Sequence, residues 1–244
     1  MVKSGLLTNS KIGSAVFAVD LIPTSNKKAR PGYPMTPKYI TVHNTGNSSK
    51  GAGADSHTKY VNSVDVNKSW HFTVDEKKIY QELPVTESAW HAGDGNGPGN
   101  RSSIGIEICE NVDGDWKQAR RNAILLIVVL LDELNLTPDK VVPHKHWSGK
   151  YCPHKILDEG WNIFLEEVKE EYNTYKGILE NAGIQGGTII AGPPEVSPWA
   201  ENAWGKAKKK ICKDGKPLND GLGAKNMVTE EQLMVFFDKL GLLD

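Results

Sequence analysis

The sequence has 244 residues and a mass of 26.8 kDa, which allows one large domain or a medium domain with a small partner. Hydrophobic residues at 39%, together with seven Trp, seven Tyr and five Phe, exclude disorder as the main state of the chain. A net charge of −1 with a pI near 6.7 argues against a nucleic-acid-binding protein, and 3 Cys are too few for a disulfide framework.

No stretch of the sequence has the pattern of a targeting or membrane segment. The apolar run at 15–19 is too short for the core of a signal peptide. The most apolar stretch is 124–131, whereas a membrane-spanning helix needs about 20 apolar residues. We therefore predict no signal peptide and no transmembrane segment, and a protein that is first held in the cytoplasm.

Strands and helices are predicted to alternate between about Lys38 and Leu165. Runs rich in β-branched and aromatic residues predict strands at 38–44, 69–74, 78–83 and 103–110. Helical periodicity predicts helices at 55–64, 118–134 and 158–172. The tetrad DEKK predicts a hairpin turn before Lys78, and the glycine-rich loop 91–103 is expected at a functional rim. This order indicates an α/β fold, with a mixed central β-sheet flanked by helices.

The composition changes after Tyr172, and this change predicts the domain boundaries. Residues 1–172 are assigned to the main domain, and the segment 173–195, which ends in a Gly/Pro-rich stretch, to a linker. Residues 196–244 are predicted to form a small helical C-terminal module. Its first helix begins at Ser197 with Pro198 in the first turn, and Thr229 begins a capping box for the second.

Two histidines and a cysteine lie at or after strand-like runs. His43 is near the end of the first predicted strand, His144 follows the β-like run at 141–143, and Cys152 comes shortly after His144. Side chains at strand ends are expected to converge on one rim of the sheet. Zn²⁺ takes such N and S ligands tetrahedrally, and three protein ligands leave a fourth position for water. A Cys–His nucleophile is the competing interpretation, although the flanking signature of papain-like enzymes is absent.

Glu107 strengthens the case for a catalytic site. In the run SIGIEICE, alternation places Ile104, Ile106 and Ile108 on one face and Glu107 with Cys109 on the other. A carboxylate within an apolar strand is costly unless it is paired or functional. Beside a metal and its water, Glu107 is predicted to act as a general base.

Five blocks of the chain together resemble one enzyme family. They are KYITVHNTG, SWHFTVDEKKIYQELP, AWHAGDGNGPGN, SIGIEICEN and VVPHKHWSGKYCPH, in this order between about Ile22 and Val168. They look like the zinc-dependent N-acetylmuramoyl-L-alanine amidases of the second amidase class, which includes phage endolysins, bacterial autolysins and peptidoglycan recognition proteins. The resemblance implies peptidoglycan as substrate and cleavage of the amide between N-acetylmuramic acid and the L-alanine of the stem peptide.

The resemblance also implies roles for individual residues. His43, His144 and Cys152 match the positions of the Zn²⁺ ligands, and Glu107 matches the acidic residue that activates water. Lys150 matches the basic residue that stabilises the oxyanion. Members of the class that bind peptidoglycan without hydrolysis typically lack the Cys ligand, so Cys152 favours catalysis. A non-hydrolytic peptidoglycan-binding protein on the same fold is the alternative.

Four further residues are predicted to contact the substrate. His71 lies on the second predicted strand, where simple packing is the alternative, and His91 lies in the glycine-rich loop. His146 and Trp147 border the loop that carries the cysteine. Trp70 departs from the family pattern, since some relatives carry a Tyr there, and mechanistic details that rest on this Tyr are not transferred.

The C-terminal segments SPWAENAWGKAKKKI and VTEEQLMVFF are similar to the S-layer-homology repeat of wall-attached proteins. This similarity predicts binding to peptidoglycan or to a secondary wall polymer, with homodimerisation through the module as the competing prediction. A wall substrate without a signal peptide is typical of a phage or prophage endolysin, which stays in the cytoplasm of the producing bacterium until its release. An autolysin is the alternative.

Overall fold

The computed structural model describes residues 5–181, except Ser10 and Val64, and for Asn181 the backbone only. Most of the predicted linker and the whole module 196–244, with its suggested wall-binding and dimer contacts, lie outside the described residues. Within the described part, no helix combines the length and the apolar character that a membrane span requires.

A mixed central sheet organises the domain, as the sequence predicts, and it has seven strands. The strands are β1 (Lys11–Ile12), β2 (Ala15–Val19), β3 (Tyr39–Asn44), β4 (Phe72–Val74), β5 (Lys78–Gln81), β6 (Ser103–Ile108) and β7 (Val141–Pro143). Their order across the sheet is β1-β2-β5-β4-β6-β3-β7. Strands β4, β6, β3 and β7 run parallel, whereas the β1–β2 and β4–β5 pairs are antiparallel.

The parallel half of the sheet fixes which residues become neighbours. His43 on β3 lies opposite Glu107 on β6, and Glu107 lies opposite Thr73 on β4. On the other side of β3, Val42 pairs with Pro143 of β7, so His144 follows at the same edge. The carboxyl ends of parallel strands form the usual ligand-binding edge of an open α/β sheet.

Helices cover both faces of this sheet. They are α1 (Ala54–Val61), α2 (Pro98–Arg101), α3 (Trp116–Glu133), α4 (Lys145–Ser148), α5 (His154–Glu159) and α6 (Trp161–Asn181), with a 3-10 turn at Pro138–Lys140. Helix α3 is buried on most sides because it packs between the sheet and α6, which explains its nearly continuous apolar run. Helix α1 contacts β4 and β5, and Tyr80 on the Glu107 face of the sheet donates to Asp55 of α1.

The last helix departs from the predicted boundary at Tyr172. Helix α6 continues to Asn181, and Tyr175, Ile178 and Leu179 are buried in the main core. These residues extend the apolar stripe of the helix across the start of the predicted linker. Lys176 adds an ion pair with Asp132 at 3.0 Å. The prediction of linker from residue 173 is therefore corrected for residues 173–181, which are helical.

Two strands were not predicted, and one strand is shorter than predicted. β1 is the edge strand and has only two residues, too few to show any periodicity, and β2, with five residues, lies between β1 and β5. The second predicted strand begins only at Phe72, because the backbone of Ser69 turns away to bond with Trp90. The strands at Tyr39–Asn44, Lys78–Gln81 and Ser103–Ile108 are confirmed within a few residues.

Asp75 joins the β4–β5 turn to the start of α1. Its carboxylate accepts from the backbone N–H of Lys77 and Lys78, at 2.8 and 2.6 Å, and from that of Ala54 at 2.8 Å. A Cβ at Gly53 would lie 2.9 Å from the same carboxylate, so a glycine there allows the close approach. The turn predicted at DEKK is thus held by a side chain that also caps a helix.

Replacing Asp75 with Ala is expected to lower the free energy of unfolding by about 2–3 kcal/mol, because three backbone donors lose their acceptor. Urea denaturation followed by tryptophan fluorescence measures this change. Asp139→Ala is the matched control, since Asp139 is exposed and bonds to its neighbours Thr137 and Lys140. Equal unfolding midpoints for the two variants would contradict the structural role of Asp75.

Candidate metal centre and active site

Three side chains meet at the carboxyl edge of the parallel strands. His43 extends from β3, His144 follows β7, and Cys152 comes back to the same place after the left-handed turn at Gly149. The return is fixed by the backbone, because Lys145 N–H donates to the Cys152 carbonyl at 3.0 Å. The structure therefore brings together the three residues that the sequence predicts as ligands.

The geometry of this cluster suits a metal ion with N and S ligands. One ligand atom from each residue lies within 4.8 Å of the others, and all three residues are buried. His144 Nδ1 is buried and has no hydrogen-bond partner among the described residues, whereas its Nε2 donates to the Ala92 carbonyl at 2.9 Å. An unpartnered nitrogen in such a place is costly unless a ligand meets it. Two imidazoles and one thiol fit zinc.

Burial sets the protonation of the cluster. It lowers the pKa of His43 well below the ordinary value, and the neighbouring His91 and His144 act in the same direction, so the imidazole is neutral. It also raises the pKa of Cys152 to about 11, with a further increase from Glu107. The thiol therefore keeps its proton until a cation binds, and binding is expected to release that proton.

Glu107 lies beside the cluster and faces the same cleft. Its Oε1 is 4.0 Å from His43 Nδ1, and its Oε2 is buried with no hydrogen-bond partner among the described residues. Burial raises the pKa of Glu107 to about 8, against the opposing influence of Lys150 and Lys68. A bound cation would lower this pKa again, which leaves a carboxylate able to accept a proton near neutral pH.

A cleft of about 670 Å³ opens over these residues. Besides the cluster and Glu107, helix α1, the segment before β4 and the glycine-rich loop contribute to its walls. Lys150 lines the cleft and is exposed, and its predicted contact with the reacting group stays a prediction. Lining residues that sequence reasoning did not single out are Asn47, Ser56, Tyr60, Lys68, Trp90 and Ser148.

Residues 33–155 match the sequence signature of the Amidase_2 family, described as N-acetylmuramoyl-L-alanine amidase. The chain belongs to this amidase family. It is 59% identical over 171 residues to the N-acetylmuramoyl-L-alanine amidase CwlH of Bacillus subtilis, covering 70% of this chain and 68% of CwlH. The amidase XlyA of the same organism is 58% identical over 145 residues, covering 59% of this chain and 48% of XlyA.

A solved structure of the catalytic domain of XlyA supports the fold assignment. That structure superposes on this chain with a TM-score of 0.61 and 55% sequence identity. The match covers 62% of this chain and 98% of that domain. The mixed α/β architecture is therefore that of an amidase catalytic domain, as the sequence predicts.

His71 is not placed to contact a substrate. It has no exposed surface, its Nδ1 accepts from Gly105 N–H at 3.0 Å, and its Nε2 lies 2.8 Å from the Glu87 carbonyl. Burial lowers the pKa of His71 to about 4, so the ring is neutral. The predicted substrate contact is corrected to packing behind the site, which was the alternative reading.

His91 lines the cleft, but both of its nitrogens are engaged by the protein. Its Nδ1 lies 2.9 Å from His43 Nε2, and its Nε2 lies 3.2 Å from the Ser103 carbonyl. A predicted contact between His91 and substrate would therefore have to use the ring face or edge. The contact with His43 links this residue to the His43–His144–Cys152 cluster instead.

His146 and Trp147 lie on α4, next to the cluster but outside the cleft lining. Trp147 Nε1 donates to Thr41 Oγ1 at 2.8 Å, and its ring contacts that of Tyr39 edge-on at 5.2 Å. The His146 ring is exposed and lies 4.6 Å from the Trp147 ring. Trp147 thus packs behind the wall of the cleft. Substrate contact at His146 or Trp147 stays a prediction.

Trp70 occupies the position where some relatives carry a Tyr. It is 5% exposed and its indole N–H donates to Thr73 Oγ1 at 2.6 Å. Thr73 is the strand neighbour of Glu107, so Trp70 supports the sheet beside Glu107. Cys109 is 2% exposed, and burial raises its pKa well above the ordinary value, so it is a core residue with a protonated thiol.

Proposed function

We propose that this domain hydrolyses the amide between N-acetylmuramic acid and the L-alanine of the stem peptide in peptidoglycan. Family membership supports the reaction class. The observation that carries the proposal is the placement of Glu107 Oε1 at 4.0 Å from His43 Nδ1, beside the buried His43–His144–Cys152 cluster that lines the cleft. This pairing of a metal centre with a general base suits hydrolysis of an unactivated amide.

His43, His144 and Cys152 are the residues proposed to hold Zn²⁺. When bound, zinc polarises the scissile carbonyl and makes a water molecule more acidic. Cys152 as thiolate donates negative charge to the metal, so less acidification is expected than with three histidines. A carboxylate that accepts the proton compensates for this difference, which gives Glu107 its role.

Glu107 is proposed to move a proton in both halves of the reaction. Its unpartnered carboxylate oxygen accepts a proton from the attacking water, and the same group then donates it to the departing alanine nitrogen. The C–N bond breaks and a C–O bond forms. The products are a lactyl carboxylate on the muramic acid and a stem peptide with a free L-alanine amino terminus.

Lys150 is proposed to stabilise the oxyanion that forms on the carbonyl oxygen when water attacks the carbonyl carbon. The residue is exposed at the cleft and forms no ion pair with another described residue, so its ammonium is available to the reacting group. Its charge already acts on Glu107, where it lowers the pKa of the carboxyl group. A positioned cation that meets developing negative charge is the usual means of stabilising such an intermediate.

Lys150→Met is expected to lower kcat by about 10²-fold, in the range found when one oxyanion contact is removed. The zinc content of the protein should stay unchanged. Lys145→Met is the matched control, because Lys145 is exposed on α4, near the Tyr151 ring, and does not line the cleft. Steady-state kinetics on a purified muropeptide measures both variants, and equal kcat values would remove Lys150 from this role.

The competing proposal is a protein that binds peptidoglycan without cutting it. Zinc-loaded protein should release new L-alanine amino termini from purified walls, detected by chemical labelling of the termini. Wall binding without such release, in protein that contains zinc, would contradict hydrolysis and support the binding function. The cluster with its cysteine favours hydrolysis.

The biological setting is proposed as cell-wall degradation by a phage or prophage endolysin. The family match supports action at the wall, and an autolysin is the second candidate. Wall binding through the module 196–244, a secondary wall polymer as its ligand, and dimerisation remain predictions, because these residues lie outside the described part of the chain. Retention in the cytoplasm until release is likewise a prediction.

A further inference from the structure

The glycine-rich loop before β6 is built around one buried amide. Asn100 is 3% exposed, and its Oδ1 accepts from the backbone N–H of both His91 and Ala92 at 2.8 Å. Its Nδ2 donates to the Gly95 carbonyl at 3.0 Å. Asp94 adds a second brace, because its carboxylate accepts from Gly99 N–H at 2.7 Å. The backbone of residues 91–92 is therefore held rigidly.

The hydrogen bonds of His91 in turn fix the tautomer of His43. The Ser103 carbonyl can only accept, so the proton of His91 is on Nε2, which lies 3.2 Å away. His91 Nδ1 is then an acceptor, and His43 must donate to it from Nε2 across 2.9 Å. This leaves a lone pair on His43 Nδ1, the atom that lies 3.8 Å from Cys152 Sγ.

The backbone carbonyl of Ala92 fixes the tautomer of His144. The Ala92 carbonyl accepts from His144 Nε2 at 2.9 Å, so the lone pair of His144 is on Nδ1, the buried atom without a partner. Both histidines of the cluster thus receive their tautomer and ring orientation from two consecutive residues. The Asn100 amide fixes the backbone of both residues at once.

The packing leaves little freedom for another arrangement. A Cβ at Gly105 would lie 2.8 Å from the His91 ring, and one at Gly99 would lie 2.5 Å from the Ala92 side chain. Glycine at these two positions lets the loop lie directly on the sheet and on the Trp147 ring. This close packing brings the loop against the His43–His144–Cys152 cluster.

We propose that His91 and Asn100 are positioning residues that hold the two histidine ligands in the metal-binding tautomer, and that this is the main role of the loop. The inference rests on the proposed zinc site. Partners of this kind around metal-bound histidines typically change metal affinity by about 10- to 100-fold when they are removed.

The test compares two substitutions of His91 in the full-length protein. Asn places an oxygen where His91 has Nδ1 and can still accept from His43, whereas Gln places its amide near Nε2 and cannot. The dissociation constant of zinc, measured by competition with a chromophoric chelator, should rise about 10- to 100-fold for His91→Gln and stay close to wild type for His91→Asn. Equal zinc affinity of His91→Gln and wild type, or equal weakening in both variants, would overturn the hydrogen-bond role.

A second measurement needs no variant. Long-range ¹H–¹⁵N correlation spectra of the wild-type imidazoles should show His91 and His43 protonated at Nε2, as the hydrogen-bond chain requires. A proton on His91 Nδ1 would overturn the proposal. These outcomes differ from a failure of the proposed function, in which the wild-type protein itself would bind no zinc or would bind it without hydrolysing walls.

Discussion

Cys152→Ala is expected to lose tight zinc binding and to lower amide hydrolysis by about 10³-fold or more. The substitution removes one of three ligand atoms that lie within 4.8 Å of each other, and a catalytic metal supplies several kcal/mol of transition-state stabilisation. Zinc content after dialysis, measured by atomic emission, and release of L-alanine termini from walls check the two effects.

Cys109→Ala is the matched control for this substitution. Cys109 is also a buried thiol in the same domain, but it belongs to the core and not to the ligand cluster. We expect this variant to keep one zinc per chain and its activity, with a loss of stability of about 1 kcal/mol from the small cavity. If Cys152→Ala kept both zinc and activity, the proposed metal centre would be wrong.

Glu107→Gln is expected to keep zinc and to lower kcat by about 10²- to 10⁴-fold. The amide has nearly the shape of the carboxylate, so the cluster 4.0 Å away should remain intact. It cannot accept the proton of water, so the chemical step should fail while metal binding persists. Single-turnover kinetics on a muropeptide, with zinc content measured on the same sample, separates the two effects.

Glu76→Gln serves as the control for removing a carboxylate. Glu76 lies in the β4–β5 turn, where it pairs with Lys77 at 3.1 Å and does not line the cleft. Its substitution should leave kcat close to the wild-type value. Turnover by Glu107→Gln at the wild-type rate would exclude Glu107 as the base.

Much of the catalytic face was predictable because it lies on regular strands. Alternation along SIGIEICE predicts that Glu107 and Cys109 share a face, and the parallel register then places Glu107 opposite His43. The family resemblance supplied the ligand set His43, His144 and Cys152, which the structure brings together. Local pattern and family motif agree here for His43, which lies on β3, and for His144, which follows β7, whereas Cys152 comes after α4 and was supplied by the motif.

The residues around this centre were harder to predict because their partners are distant in sequence. His91 reads as a rim residue in a glycine-rich loop, and only the contacts with His43 and Ser103 connect it to the cluster. His71 looks accessible on a strand of mixed character, yet backbone groups of Gly105 and Glu87 enclose it. The end of α6 was also missed from composition, because the helix continues to Asn181 with Tyr175, Ile178 and Leu179 packed into the core.

The most direct test of the central claim is mass spectrometry of a purified muropeptide digested in H₂¹⁸O by the zinc-loaded protein. The account predicts a stem peptide that begins with a free L-alanine and a muramic acid whose lactyl carboxylate carries one ¹⁸O atom. Prior removal of zinc with a chelator should abolish both products, and added zinc should restore them. Cleavage of a glycosidic bond or of a bond within the peptide, or equal cleavage after zinc removal, would contradict it.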